Sequence, residues 1–410
     1  MEYFISRQPI LKVDNSTLGY RLRFRDDIED ILLQMSCSEH ESKQGDKLRL
    51  SFSQVTAGKL AFINFEGNVI ELLMVKHLNS TDTVINVNAT SAPSKGLLSA
   101  LLVLHELGYK ICLENITDTT AWKSIYSAIS YLALTTDIIT QDNFISIIDQ
   151  VGMHPNVKLI ATDVSTKASY DTAVQLGFSY FEGDFFAQPE KSQKREMSPG
   201  ETSLAELLYL TSLNDVQLPK IIETVKRDVY LTYKILTYAN TVFFKRREEV
   251  STIKQAIVML GLTELKRFVS ILFTTQLSQL RSKELVRFSL YRGRFCEFMI
   301  ELESDTAQTE EMCGEAFLVG LLSLIDVMFN EPIEQALKKL SLSEKIMGAI
   351  LRQEGRLASY LELAKISEKG EWSNAFQLAS SLDISKVHLM HSNSRSLLWA
   401  NKQMAILDLN

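Results

Sequence analysis

The sequence predicts an α/β barrel followed by an all-helical domain, and three observations carry that expectation. The first half alternates short apolar runs of strand length with amphipathic stretches. The second half repeats apolar residues three and four apart. Between them lies a polar stretch with Pro189, Lys191, Lys194, Arg195, Pro199 and Gly200, which reads as a linker.

Candidate strands lie at 4–10, 18–24, 60–65, 84–87, 110–113, 138–139, 158–161 and 178–181, with amphipathic helices expected at 94–107, 143–151 and 168–176. Strands alternating with helices imply βαβ units and parallel pairing. About eight such strands suggest a barrel rather than an open sheet, and no glycine-rich phosphate loop follows the first strand. Past residue 203 the helical period runs through 204–210, 218–227, 231–242, 253–260 and 263–277, with Gly261 as a stop between the last two. Longer helices are expected at 283–302 and 310–329, the second apolar nearly all round and so central to a bundle. The division that follows is a barrel at 1–190, a linker at 191–202 and a helical domain at 203–410.

A chain of 410 residues, 46% hydrophobic and 23% charged, has ample apolar surface for two or three cores. Its formal charge of −7 argues against a general nucleic-acid binder, which needs clustered bases to release counterions. The one dense basic run, Lys245-Arg246-Arg247, is followed at once by Glu248 and Glu249 and reads as a solvated loop. No uninterrupted apolar run reaches the roughly 18 residues of a membrane span, and the N-terminus lacks a signal-peptide layout. The expectation is a cytoplasmic protein without membrane insertion. Cys37, Cys112, Cys296 and Cys313 are far apart with no Cys-x-x-Cys, a pattern of reduced, packed thiols rather than of disulfides or a zinc site.

The stretch Gly19-Tyr20-Arg21-Leu22-Arg23-Phe24-Arg25 alternates in twos, so Arg21, Arg23 and Arg25 share one face of a strand. An arginine cannot shed its charge, and that face must therefore be wet or meet anions. Catalytic groups of a barrel gather at the C-terminal ends of its strands. Those ends carry Asn64, Asn86 and Asn88, Glu114-Asn115, Thr140 and Asp142, Thr162-Asp163, and Glu182-Gly183. The set is mostly amides and hydroxyls.

These residues bring a resemblance into view. Arg7-Gln8-Pro9-Ile10, Gly19-Tyr20-x-Leu22-x-Phe24-Arg25, Phe62-Ile63-Asn64, Leu107-Gly108-Tyr109, Leu176-Gly177-Phe178 and Phe181-x-Gly183-x-Phe185-Phe186-x-x-Pro189 occur in the order of an EAL domain. The resemblance implies a modified (βα)8 barrel that hydrolyses cyclic di-GMP with two divalent cations held by carboxylates and an Asn. It also implies where this chain departs from the family. Arg21 stands where the metal-binding Glu that names the family is expected, while Asn64 and the phosphate-contacting Arg25 are retained. The next Glu aligns with Asn86. The paired aspartates and their glycine-rich loop become Glu114-Asn115-Ile116-Thr117-Asp118-Thr119. The catalytic Lys aligns with Thr140, a later Glu with Thr162, and the Gln before the last glycine with Glu182.

A guanidinium among metal ligands repels divalent cations by several kcal/mol at about 4 Å. The expectation is that Arg21 takes the cation's place, pairing with Glu114 or Glu182, with no metal, no cofactor and no catalytic residue. Arg25 and Arg23 are the candidate phosphate contacts, yet binding of cyclic di-GMP is disfavoured because most surrounding polar contacts are altered.

The second half resembles the HDOD domain, an all-α relative of HD hydrolases. The resemblance rests on Asp228-x-x-Leu231-x-x-Lys234-Ile235-Leu236-x-x-Ala239-Asn240, on Ser251-x-Ile253-x-Gln255-Ala256-Ile257-x-x-Leu260-Gly261-Leu262, and on Ala316-Phe317-Leu318-x-Gly320-Leu321-Leu322. Residues 155–387 contain no histidine, which excludes the His and Asp cluster of those hydrolases. Asp326 reads as a satisfied buried carboxylate and Asn240 as a helix terminator. The helices flanking Gly261 read as packing elements rather than a DNA-binding pair. Met259, Met299, Met312, Met328 and Met347 read as core filler, with a partner groove as the alternative. EAL followed by HDOD is the arrangement of bacterial signalling proteins. The combined expectation is a protein that is not an enzyme: an adaptor of the cyclic di-GMP network acting by protein–protein contact in motility, attachment or biofilm. It would engage unidentified protein partners or a second copy of itself. The alternatives are a cyclic di-GMP-binding effector without turnover and a residual phosphodiesterase.

Overall fold

Eight strands close into a barrel in sequence order. A computed structural model of the protein describes residues 5–24, 32, 52–139, 144–152, 154, 156–188, 197–211, 217–242, 250–278, 282–301, 307–340 and 342–407. Two compact units result, one of residues 1–188 with 366–376 and one of 189–365 with 377–410.

In the first unit β1 (Ile5–Lys12) and β2 (Thr17–Phe24) form a hairpin, whose turn has Asn15 at φ 62° and Asp14 accepting the Ser16 N–H at 2.9 Å. A short turn forces antiparallel pairing, so β1 runs against β2 and also against the last strand, while every other pair is parallel. The start of β1 therefore lies at the same end of the barrel as the C-termini of the other strands. β3 (Leu60–Asn64), β4 (Thr83–Asn88), β5 (Lys110–Glu114), β6 (Ile129–Thr135), β7 (Lys158–Thr162) and β8 (Tyr180–Glu182) complete it. Ile10, Phe62, Val84, Cys112, Tyr131, Ala133 and Ile160 fill the interior. Since side chains alternate, the inward residues one step further along the strands form the next layer, at the mouth. Helices between strands begin at ordinary caps: Ser94 accepts the Leu97 N–H ahead of Lys95–Glu106, and Thr166 makes a capping box with Ser169 ahead of Lys167–Gln175.

Seven strands fall where the apolar runs place them. The sixth does not: it is Ile129–Thr135, and Ile138 and Ile139, expected as strand, end the short helix Thr136–Ile139. The reason is burial on both faces. Leu132 and Leu134 are as buried as the inward Tyr131 and Ala133, so the alternation that marks a half-exposed strand is missing.

Among the described residues the second unit is helical. Its first helix, Pro199–Leu210, starts inside the stretch expected as linker, because Ser198 and Glu201 form a capping box and Pro199 suits the first turn. Leu218–Lys226 and Val229–Val242 follow, then Ile253–Leu277 with Gly261 at φ 73°, ψ 168°, a non-helical break at the expected stop. Lys283–Glu301 packs on Ala307–Leu321, and the apolar run then turns through Leu322–Leu324 into Ile325–Phe329 instead of continuing as one helix. The window Met312–Phe329 is apolar enough by composition to cross a membrane, contrary to the expectation of none, but 72% of it is buried inside the structure. Its apolar surface is spent on the core. Shorter helices, Ile333–Lys338 and Glu344–Met347, precede Gly355–Lys369 and Lys386–Ile406, while the end of Gly355–Lys369 and the start of Trp372–Ser381 fall in the 366–376 segment that belongs to the first unit.

Helices Lys283–Glu301 and Ala307–Leu321 meet where Gly320 faces the backbone of Arg292. A Cβ on Gly320 would lie 2.3 Å from the Arg292 carbonyl carbon and oxygen, whereas one on Gly314 would meet nothing within 4 Å. Backbone cannot give way as a flexible side chain can. Gly320→Ala should therefore lower the unfolding free energy by about 1–3 kcal/mol, and Gly314→Ala should raise it by about 0.5–1 kcal/mol, both read by chemical denaturation.

Candidate functional site

Arg21 stands at the centre of the barrel mouth and is 4% exposed. Its Nε donates to both carboxylate oxygens of Glu182 at 2.8 Å, and its Nη1 donates to Asn64 Oδ1 at 3.0 Å and to Glu114 Oε2 at 3.4 Å. The expected pairing was with one acid or the other, and the guanidinium takes both. Asn86 is fully buried and donates through Nδ2 to Asn64 Oδ1 and, at 2.9 Å, to Glu114 Oε2. Arg21, Asn64, Asn86, Glu114 and Glu182, from five strands, thus form one hydrogen-bonded layer.

Alternation explains why these residues meet. Phe62, Val84, Cys112 and Tyr180 point into the core, so Asn64, Asn86, Glu114 and Glu182 point the same way two residues on. Thr162 follows Ile160 in the same manner and is buried, adjacent to Glu182 by the β7–β8 register. Two acids and one base leave the layer one negative charge in excess. Burial pushes the Glu182 carboxyl above its usual range against the pull of Arg21, and the two acids hold the Arg21 guanidinium charged despite its burial. The Cys112 thiol beneath them is pushed up by burial and stays neutral.

Among the described residues, three buried polar atoms of this layer have no hydrogen-bond partner: Arg21 Nη2, Asn86 Oδ1 and Thr162 Oγ1. A donor, an acceptor and a hydroxyl unpaired in one layer are satisfied by ordered water or by a polar guest, since an orphan left bare costs about 1–3 kcal/mol. The donor set does not fit the divalent pair implied by the resemblance. Both carboxylates of the layer already close on a guanidinium, and no group of three His, Cys, Asp or Glu suited to a metal ion occurs among the described residues.

The remaining sequence candidates separate. Asn115 leaves the mouth for structure: at φ 54° its Oδ1 accepts the Thr135 N–H at 3.1 Å and ties β5 to β6. Arg23 is exposed at the rim, donating to Gln8 Oε1 at 3.1 Å. Arg25, Thr140 and Asp142 lie outside the described residues. Because β6 ends at Thr135, that residue rather than Thr140 is the end of the sixth strand, paired in register with Thr162. Thr135 and Gln8 were missed from sequence. The true strand boundary and the reversed direction of β1 were the signals needed to find them.

In the helical unit, Asn240 is a cross-link rather than a helix terminator. Its side chain donates to Leu236 O and Val250 O and accepts the Val250 N–H, all within 3.0 Å. Asp326 is half-buried, and burial pushes its carboxyl up. Glu297 is buried between Arg267 and Arg294, a second enclosed acid–base cluster.

Residues 199–357 match the HDOD domain. The chain is 27% identical over 378 residues to CdgJ of Vibrio cholerae, named a cyclic di-GMP phosphodiesterase, a likeness covering 91% of this chain and 87% of that one. It is also 27% identical over 401 residues to the uncharacterized protein YuxH of Bacillus subtilis, covering 93% and 95%. Among solved structures, the Bacillus subtilis YkuI protein, with an EAL domain and in complex with cyclic di-GMP and calcium, aligns at 16% identity and a TM-score of 0.33, over 64% of this chain and 72% of that one. A closed eight-stranded barrel thus precedes the stretch that matches the HDOD domain, in the order the motifs implied.

The expectation that the chain is not an enzyme is corrected here, because a protein alike over nearly its whole length is named a phosphodiesterase. That expectation rested on the guanidinium of Arg21 at a ligand position, on the altered positions around it and on the missing histidines of the helical half. The mouth nevertheless keeps two carboxylates, Glu114 and Glu182, beside unspent polar atoms.

Arg21→Met would leave Glu182 buried without its partner and should cost about 3–5 kcal/mol of stability near neutral pH. A carboxyl whose folded pKa is raised above its unfolded value stabilises the fold at low pH and loses that contribution as pH rises through the folded value. The deficit of the variant should therefore shrink on acidification. Adding Glu182→Leu should recover most of it at neutral pH, and denaturation midpoints across pH check both.

Proposed function

We propose that the chain serves cyclic di-GMP signalling by binding the dinucleotide at its barrel mouth. The observation that carries the reading is the trio of unspent buried atoms, Arg21 Nη2, Asn86 Oδ1 and Thr162 Oγ1, in one layer. Altered contacts alone argue against binding, but these orphans argue for a guest that both donates and accepts hydrogen bonds. A guanine edge or a ribose does so, and a bare phosphate does not donate. The layer's excess negative charge would repel phosphates, and Arg23 at the rim offsets it. Arg23 is therefore the proposed phosphate contact, with Arg25 beside it in sequence. The likeness to CdgJ supports cyclic di-GMP as the guest.

The same likeness favours a second reading, hydrolysis of cyclic di-GMP. Output through protein contacts, in motility, attachment or biofilm, is carried by no residue of the mouth and rests on family resemblance.

Calorimetry of the full chain with cyclic di-GMP, with and without magnesium, tests the proposal. One saturable site is expected, weakened about tenfold by Arg23→Ala through loss of a charge-assisted contact. Absence of saturable binding in both buffers would sink it. Chromatography of the same mixtures reads the second proposal directly, since linear dinucleotide appears only if the ring is opened.

A further inference from the structure

We infer that the helical unit carries a binding pocket for an uncharged, largely apolar small molecule at the π-helical turn Gly348–Arg352. The cavity there has a volume of about 400 Å³, inside the range of roughly 300–1,000 Å³ in which pockets enclose drug-sized ligands. Its apolar lining comes from three places in the chain: Ile300, Met312 and Leu357. Met312 was read from sequence as core filler. It is instead 39% exposed, and its flexible thioether lines an accessible cavity.

The rim selects against charge. Glu315, Glu344 and Glu354 are matched by Lys345, Arg352 and Arg356, three against three, so the rim has no net charge. The acids are also engaged locally. Arg352 bridges Glu344 at 2.7 Å and Glu354 at 2.9 Å, and Glu315 accepts from Ser343 at 2.7 Å with Lys345 at 3.6 Å. A charged ligand would meet a rim neutral as a whole and would lose its own hydration, whereas an apolar one loses only water it is better without.

The backbone is an independent observation. π-helical turns are rare and recur at functional sites. This one is followed by Gln353 at φ 56° and Gly355 at φ 78°. A non-glycine residue held there costs on the order of 1–3 kcal/mol. The double reversal leaves Gly348 and Leu357 lining the same cavity. Simple core packing needs neither the wide turn nor the reversal.

The test uses Nile red, an uncharged dye whose emission reports an apolar environment, with the full chain. Saturable binding of one dye per chain is expected, unchanged between about 0.05 and 0.5 M salt because no charge is recognised. Met312→Glu should weaken it about tenfold or more by setting a charge in the lining, while Leu72→Ser, at an exposed leucine of the barrel unit, should leave it as it was. Should Met312→Glu fail to fold by circular dichroism, Leu357→Ser, at a half-buried lining position, reads the same loss. The inference is overturned if dye binding is not saturable, if it falls steeply with salt, or if a folded variant of the lining binds as the parent does.

Discussion

A buried guanidinium that cannot lose its charge governs the barrel. Once Arg21 is placed on an inward strand position, the fold must bring anions to it, and Glu182 answers from β8, just across β1, and Glu114 from β5, three strands away in the other direction. Asn64 accepts a further bond from Arg21, and Asn86 donates to Asn64 and Glu114 and so ties the layer together. A buried ion pair of this kind is weak evidence for net stability, because desolvation offsets most of its attraction. It does specify geometry, since five strands have to close in one register for the layer to be satisfied. The apolar layer of Phe62, Val84, Cys112, Tyr131 and Ile160 beneath supplies the burial that makes the polar layer tolerable.

The helical unit solves a similar problem by other means. Glu297 is enclosed by Arg267 and Arg294, Arg267 also holds Glu264, and Glu264 accepts from Tyr238, whose ring stacks on Phe268 at 3.9 Å. The cluster links helices Val229–Val242, Ile253–Leu277 and Lys283–Glu301. At the π-helical turn, by contrast, Arg352 pairs with Glu344 and Glu354 at the surface. One set of ion pairs therefore sits inside the packing, and the other rims a cavity.

The two units also differ in how they relate to chemistry. The barrel mouth keeps the layout of a site, with unspent polar atoms, although a protein cation occupies its centre. The HDOD core has no histidine with which to build a metal cluster, and its half-buried Asp326 is an acid made less acidic by burial. The pocket at Gly348–Arg352 is apolar and neutral, a place to bind rather than to react.

The sequence by itself determined the two-part architecture, seven of the eight strands, the break at Gly261 and that Asn64, Asn86, Glu114, Thr162 and Glu182 stand at strand ends. These follow from periodicity and from the rule that strand ends carry a barrel's functional groups. It also determined that Arg21 needs an anion, because a guanidinium stays charged at any pH the fold survives. Only the tertiary structure decided which anions answer and how. Arg21, Glu114 and Glu182 lie far apart in the chain, and nothing local to Arg21 could tell one acid from two. The sixth strand and the diversion of Asn115 to β6 were hidden for the same reason. Burial on both faces erases alternation, and a side chain's hydrogen-bond partner across strands depends on register, which closure of the barrel sets. The unspent Nη2 of Arg21 could be counted only after every nearer partner had been placed.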